Sequence, residues 1–259
     1  SSTANNAIVA TTSTTGGALA GIVNTASGIV AITNTTIGGF AIASSTASIS
    51  TSCLGISTSG GNNTITGNTI GSTTISDNML TAASTGTTAG LITGIQCSSS
   101  LVNSISNNTI QNLTNRYSGT STSGLTRGIL ASSGINTING NTIKNLSNLS
   151  PENGSGLSSS VIGIALSSTT AGVQTVSNNT INKLSSGSGT GTISMAGIVA
   201  SPSTSSIHKV FNNTISAISA PLNTAAVVIN GIAAIGGTST YYNNMIVLGL
   251  DALGDSITA

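Results

Sequence analysis

Side-chain catalysis needs titratable groups brought together, and this sequence carries few. Its acids are Asp77, Glu152, Asp251 and Asp255. A glycosidase needs two carboxyl groups about 5–9.5 Å apart, and a calcium site needs several oxygen ligands at once. Asp77 and Glu152 fall about two repeats apart, so only Asp251 and Asp255 are neighbours, and they read as a solvated pair near the end of the sequence. His208, the single histidine, stands beside Lys209 and reads as a surface or turn residue with no carboxylate to orient it. Cys53 and Cys97 read as buried thiols acting as small hydrophobes, with a disulfide between them left open. One histidine, two cysteines and four separated acids make no metal-ligand cluster. The residues therefore predict no catalytic site, no cofactor and no metal.

Composition narrows the classes further. Charged residues are 3% of the 259, with a formal net charge of +1, against about 25% in ordinary soluble domains. Nucleic-acid binding needs a basic face to neutralise phosphates, and five scattered cations do not make one. A polybasic membrane anchor fails for the same reason. The longest apolar stretch, 225–235, is broken by Asn230 and Gly231 and is short of the roughly 20 residues that span a bilayer as a helix. No charged region followed by an apolar one opens the sequence as a leader would. Helix formers are scarce while Ser, Thr, Asn and Gly abound, which argues against a helical bundle. A hydrophobic content of 37% with mean hydropathy +0.35 argues against disorder.

A repeat positions everything else. Gly-Ile recurs at Gly21, Gly55, Gly94, Gly128, Gly163, Gly197 and Gly231, in steps of 34, 39, 34, 35, 34 and 34 residues. An Asn-Thr-Ile motif keeps phase with it. The residue two before its isoleucine is Asn6, Thr35, Asn68, Asn108, Asn141, Asn179, Asn213 and Asn244. Such a period means a solenoid, a propeller or an array. Each unit alternates short β-branched runs with Gly/Ser/Asn turns and shows no helical spacing, which excludes α-solenoids and leucine-rich repeats. Aromatic blade signatures are missing, so propellers fail too. The remaining architecture is an all-β parallel β-helix of about seven to eight coils of about 34 residues, each stacked about 4.8 Å from the next.

Columns support this. Two before each Gly stand Cys53, Ile92, Thr126, Val161, Met195 and Ile229, and one after stands an isoleucine throughout. Three before each ladder Asn stand Ile65, Ile105, Ile138, Val176, Val210 and Tyr241. Two after stand Ile8, Ile37, Ile70, Ile110, Ile143, Ile181, Ile215 and Ile246, and further on Phe40, Ile75, Leu113, Leu146, Leu184 and Ile218. Inward parity breaks at the glycines and again at the asparagines. The expectation is that both are corners, glycine for its backbone freedom and asparagine for its tolerance of the left-handed region.

The phrasing GIxxxx…SxNNTIxNL resembles the right-handed parallel β-helix repeats of bacterial surface and periplasmic proteins, the pectate-lyase-like and NosD-like superfamily. The resemblance covers about residues 5–250 and implies a single right-handed β-helix domain over 1–259, open at both ends, or a segment of a longer chain. It also implies an internal asparagine ladder, with Asn68, Asn108, Asn141, Asn179, Asn213 and Asn244 as rungs and Thr35 a substitution. Such folds host many functions. The coils here are longer than the family's and almost uncharged, with the extra length in segments such as 114–123 and 147–159 that read as surface loops.

Several surface features remain. Sequons at Asn62, Asn107, Asn178 and Asn212 arise from the repeat itself, while Asn148 and Asn153 read as better glycan acceptors in a loop. A threonine column, Thr36, Thr69, Thr109, Thr142, Thr180 and Thr214, resembles an ice-binding array but is only one residue wide. Phe211 and Tyr242 face outward on adjacent coils and form a candidate contact patch for a partner subunit or a glycan.

The start and stop share a coil phase, since residues 5–10 match 243–248. Open β-helix ends recruit other chains, and a heterologous contact propagates. The sequence thus predicts a secreted or cell-surface structural protein, a subunit of an extracellular fibre or stalk built by head-to-tail self-association. Behind it stand an adhesin or glycan-binding module, then an ice-binding protein, then a polysaccharide-active enzyme. No nucleic acid and no membrane insertion enter the reading.

Overall fold

The structure, a computed structural model, describes residues 8–12, 17–44, 51–74, 78–81, 90–117, 124–149, 154–187, 192–221 and 224–249. Asp77, Glu152, Asn153, Asp251 and Asp255 lie outside these residues, as do Asn6 and Ile75.

Three parallel sheets wrap one core. Sheet A stacks Gly17–Asn24, Thr51–Thr58, Leu91–Cys97, Leu125–Ala131, Val161–Leu166, Ile193–Ala200 and Val227–Ala234. Sheet B stacks Ile29–Thr33, Asn62–Thr66, Val102–Ser106, Ile135–Asn139, Gly172–Ser177, Ser206–Phe211 and Thr238–Tyr242. Sheet C runs through Ile8–Thr12, Phe40–Ser44, Met79–Leu80, Thr109–Asn115, Thr142–Asn148, Thr180–Ser186, Thr214–Ser219 and Met245–Val247, with the short strands Thr36–Ile37 and Thr69–Ile70 beside this path. The chain visits A, B and C in turn and then drops one rung, so every strand pairs with its own copy in the next coil. This is a parallel β-solenoid. Sheets A and B are each seven strands deep, which makes about six full turns from first strand to last.

Identical residues stack because the period is kept. The isoleucines after the sheet A glycines align from Ile22 through Ile56, Ile95, Ile129, Ile164 and Ile198 to Ile232. Ile65, Ile105, Ile138, Val176 and Val210 align inside sheet B, and Ile70, Ile110, Ile143, Ile181 and Ile215 inside sheet C. All of these sheet B and sheet C residues are fully buried, each contributing about 1.5–3 kcal/mol by leaving water.

Two column assignments shift. Met79 lies between Phe40 and Leu113, the place expected for Ile75, because Met79 follows Ile70 by nine residues where Leu113 follows Ile110 by three. Ile8 pairs with Phe40 rather than Ile37, so the first strand sits three residues out of the expected phase.

The glycines and asparagines also differ from the predicted corners. Gly55, Gly94, Gly128, Gly163 and Gly197 lie inside sheet A strands, and none has a positive φ. Their constraint is space. A Cβ on Gly163 would stand 2.6 Å from the Gly197 carbonyl oxygen and 2.7 Å from Ile181 Cγ2; Gly21 is crowded in the same way, and Gly231 by the Ile246 side chain alone. Each strand skips its inward alternation there, so glycine and the following isoleucine both face the core. The left-handed position at the B–C corner belongs to the residue before each ladder asparagine: Asn34, Gly67, Asn107, Gly140, Asn178, Asn212 and Asn243, with φ between 51° and 68°. The ladder asparagine is thereby free to point inward.

Candidate functional site

The B–C corner carries the predicted ladder. Asn68 Nδ2 donates to Asn108 Oδ1 at 2.9 Å, and the pattern repeats from Asn108 to Asn141, Asn141 to Asn179, Asn179 to Asn213 and Asn213 to Asn244 at 2.9–3.0 Å. Each Oδ1 also accepts the backbone N–H of the preceding rung, at 2.9–3.1 Å. The second Nδ2 hydrogen reaches back to a sheet B carbonyl: Ile32, Ile65, Ile105, Ile138, Val176 or Val210. Thr35, the substitution, donates its backbone N–H to Asn68 Oδ1 but supplies no amide. Every interior member is thus satisfied, as a buried amide must be. The ladder is also polar, because every amide donates toward the higher-numbered rung.

A second ladder fills the A–B corner, and sequence reasoning missed it. Asn63 Nδ2 donates to Asn103 Oδ1 at 2.9 Å, Asn103 to Asn136 at 3.1 Å, and Asn136 to Gln174 Oε1 at 2.9 Å. These amides also cap turn carbonyls: Gly60 and Gly61 from Asn63, Ser99 from Asn103, Ser133 and Gly134 from Asn136. Its residue type changes along the column, so no constant motif announces it. A third polar column closes the C–A corner. Thr81 Oγ1 donates to Asn115 Oδ1, and Asn148 Nδ2 donates to Gly124 O and Ser160 O. Asn148 is wholly buried at the end of a sheet C strand, which corrects its reading as an exposed glycan acceptor.

His208 is likewise no surface residue. It lies inside the sheet B strand Ser206–Phe211, in register with Gln174 and Ser239, and is 0% exposed. Neither ring nitrogen has a hydrogen-bond partner, nor does Ser239 Oγ. Burial pushes the imidazole down to about 4 from its ordinary 6.5, and the Ser168 backbone offsets part of this without the geometry of a hydrogen bond.

Cys53 and Cys97 are free, buried thiols in different columns, and Thr58 Oγ1 donates to Cys97 Sγ at 3.0 Å. Burial raises both thiols, Cys53 to about 12, so neither is a reactive thiolate at neutral pH. No group of three or more His, Cys, Asp or Glu able to hold a metal occurs among the described residues. A groove of about 400 Å³ in sheet C is lined by Thr36, Gly39, Thr69, Gly71, Ser72 and Asn78, none charged.

On the surface, the threonine column runs straight from Thr36 to Thr214 and ends at Met245. It stays one residue wide, since the next outward column in register holds Gln111, Lys144, Asn182 and Ser216. Phe211 and Tyr242 are in register and stack with ring centroids 4.7 Å apart and planes 3° from parallel. The last rung is different from those above it. Ile246 is 42% and Tyr241 37% exposed, while their column neighbours Ile215 and Val210 are wholly buried.

Fold and site together define a parallel β-solenoid with internal amide ladders. No family model, curated protein or solved structure matches the chain.

Proposed function

We propose that this chain is a structural module of a secreted or cell-surface protein, a rod that continues by head-to-tail stacking into a fibre or stalk. The observation that carries this reading is the last described rung. Its backbone keeps the register of the coils above, its inward residues Ile246 and Tyr241 are exposed, and Asn244 holds a donor to Val210 O but, among the described residues, no forward acceptor. Another rung of the same kind would bury those side chains and accept that amide. The ladder's single direction supports head-to-tail over head-to-head joining, because two donor ends cannot satisfy each other. On this reading the chain belongs with the pectate-lyase-like and NosD-like β-helices as a scaffold, and its near lack of charge has a purpose. A charge at a fixed coil position would face its own copy about 5 Å away and be repelled.

Sedimentation velocity over a concentration series tests this. Wild type is expected to grow into long species while Ile246→Lys, which places a cation on the exposed rung, stays monomeric. Monomers of both at every concentration would overturn it.

A second reading has its own observation. The exposed Tyr242 ring stacked on Phe211 offers an apolar platform of the kind that binds sugar rings. A glycan array separates an adhesin of this type from an inert rod.

A further inference from the structure

The A–B ladder ends in a way the B–C ladder does not. Gln174 Nε2 turns both hydrogens back onto the turn carbonyls of Gly134 and Thr170, at 3.0 and 3.3 Å. Nothing is donated forward to His208, the next residue in the column. The imidazole is therefore enclosed between Gln174 and Ser239, wholly buried, with two nitrogens and the Ser239 hydroxyl all unpartnered. Such a ring has a place only as a neutral group, because an imidazolium would bring two N–H donors and a charge into a site where neither nitrogen has a hydrogen-bond partner and only the Ser168 backbone favours the charged form.

We propose that His208 makes the last two rungs of sheet B acid-labile: protonation opens Ser206–Phe211 and Thr238–Tyr242 and, through them, releases the end-to-end joint. The second clause rests on the stacking reading above; the first does not.

Among the described residues no opposing charge rescues the protonated ring. Gln174 faces it from the strand Gly172–Ser177, and Ser239 from Thr238–Tyr242. The Ser168 backbone approaches from the preceding turn. Tyr241 takes the next inward place on the last strand, opposite Val210, and Lys209 alternates to the other face of the same strand as His208. No carboxylate lies among the described residues. The sign follows from the neutral form being favoured in the fold. His208 opposes unfolding fully above pH 6.5, and its contribution drains as pH falls from 6.5 toward about 4. With only four acids in the chain, little carboxylate titration overlies this window.

The test uses the purified chain. Its one histidine gives a single imidazole resonance by NMR, which is expected to titrate near pH 4. Hydrogen-exchange protection is expected to fall between about 10- and 100-fold from pH 7 to pH 4.5 in residues 206–211 and 238–242, and to hold in Ile135–Asn139. His208→Gln, and His208→Asn as a second variant, are expected to abolish that fall. A midpoint near 6.5, loss spread evenly over all strands, or the same loss in both variants would overturn the proposal. Sedimentation at the two pH values addresses the joint. Acid dissociation of wild type but not of the variants supports the coupling, and oligomers that persist while the strands open overturn it. Monomers at every pH alongside local opening refute the stacking reading and leave the acid-labile rungs standing.

Discussion

The B–C and A–B corners solve one problem in two ways. Each must satisfy buried backbone groups where the chain turns, and each does so with side-chain amides stacked coil upon coil. At the B–C corner all six members from Asn68 to Asn244 are asparagine, and each bond is made to the next copy. At the A–B corner the column reads Asn63, Asn103, Asn136, Gln174 and then His208, and much of its hydrogen bonding goes to turns. Uniformity lets a ladder continue without limit. Variety ties each rung to its own turn, and at His208 the column stops.

The largest expected effect comes from cutting the B–C ladder at its middle, with the A–B ladder as its comparison. Asn141→Ala leaves the Asn108 backbone N–H and Nδ2 without their acceptor and is expected to cost about 4 kcal/mol. Asn136→Ala should cost about 2 kcal/mol, because Asn136 Oδ1 accepts only from Asn103 Nδ2, which keeps the Ser99 carbonyl, and no backbone N–H loses its acceptor. Equal losses by denaturant unfolding would break the comparison.

Next come the glycines, where close approach replaces hydrogen bonding. Gly163→Ala forces a Cβ onto the Gly197 carbonyl and Ile181 and is expected to cost about 3 kcal/mol. Gly28→Ala meets nothing within 4 Å and should stay within about 0.5 kcal/mol. A shift in melting temperature reads both.

Smallest is a gain. Within sheet C strands, Asn112, Asn145, Lys183 and Ala217 hold φ between 52° and 57°, which suits asparagine far better than lysine. Lys183→Asn is expected to stabilise the chain by about 0.5 kcal/mol, and a loss in the same unfolding assay would count against uniformity as the favoured state.

Most of the fold was legible because the repeat writes the same residue at the same coil position. The core columns follow from the phase of Gly-Ile and Asn-Thr-Ile, and the B–C ladder from the β-helix resemblance those motifs carry. The A–B ladder was not legible, since Asn, Gln and His at one position share hydrogen-bonding capacity but no letter. His208 and Asn148 were misplaced for a related reason: a polar residue near a turn reads as exposed unless the column that buries it is seen. The sheet A glycines were recognised but misassigned, because sequence cannot separate glycine needed for a left-handed turn from glycine needed for close contact. Met79 takes the place expected for Ile75 because that coil is longer in sequence than its neighbours, which a fixed spacing does not anticipate. Phe211 and Tyr242 were readable as an outward pair on adjacent coils, and they stack.

End-to-end continuation of the rungs is the central claim, and cryo-electron microscopy of the concentrated protein tests it most directly. The expected result is filaments in which strands follow one another about every 4.8 Å without a break between subunits. Discrete single rods at every concentration, with no shared rung between molecules, would contradict it.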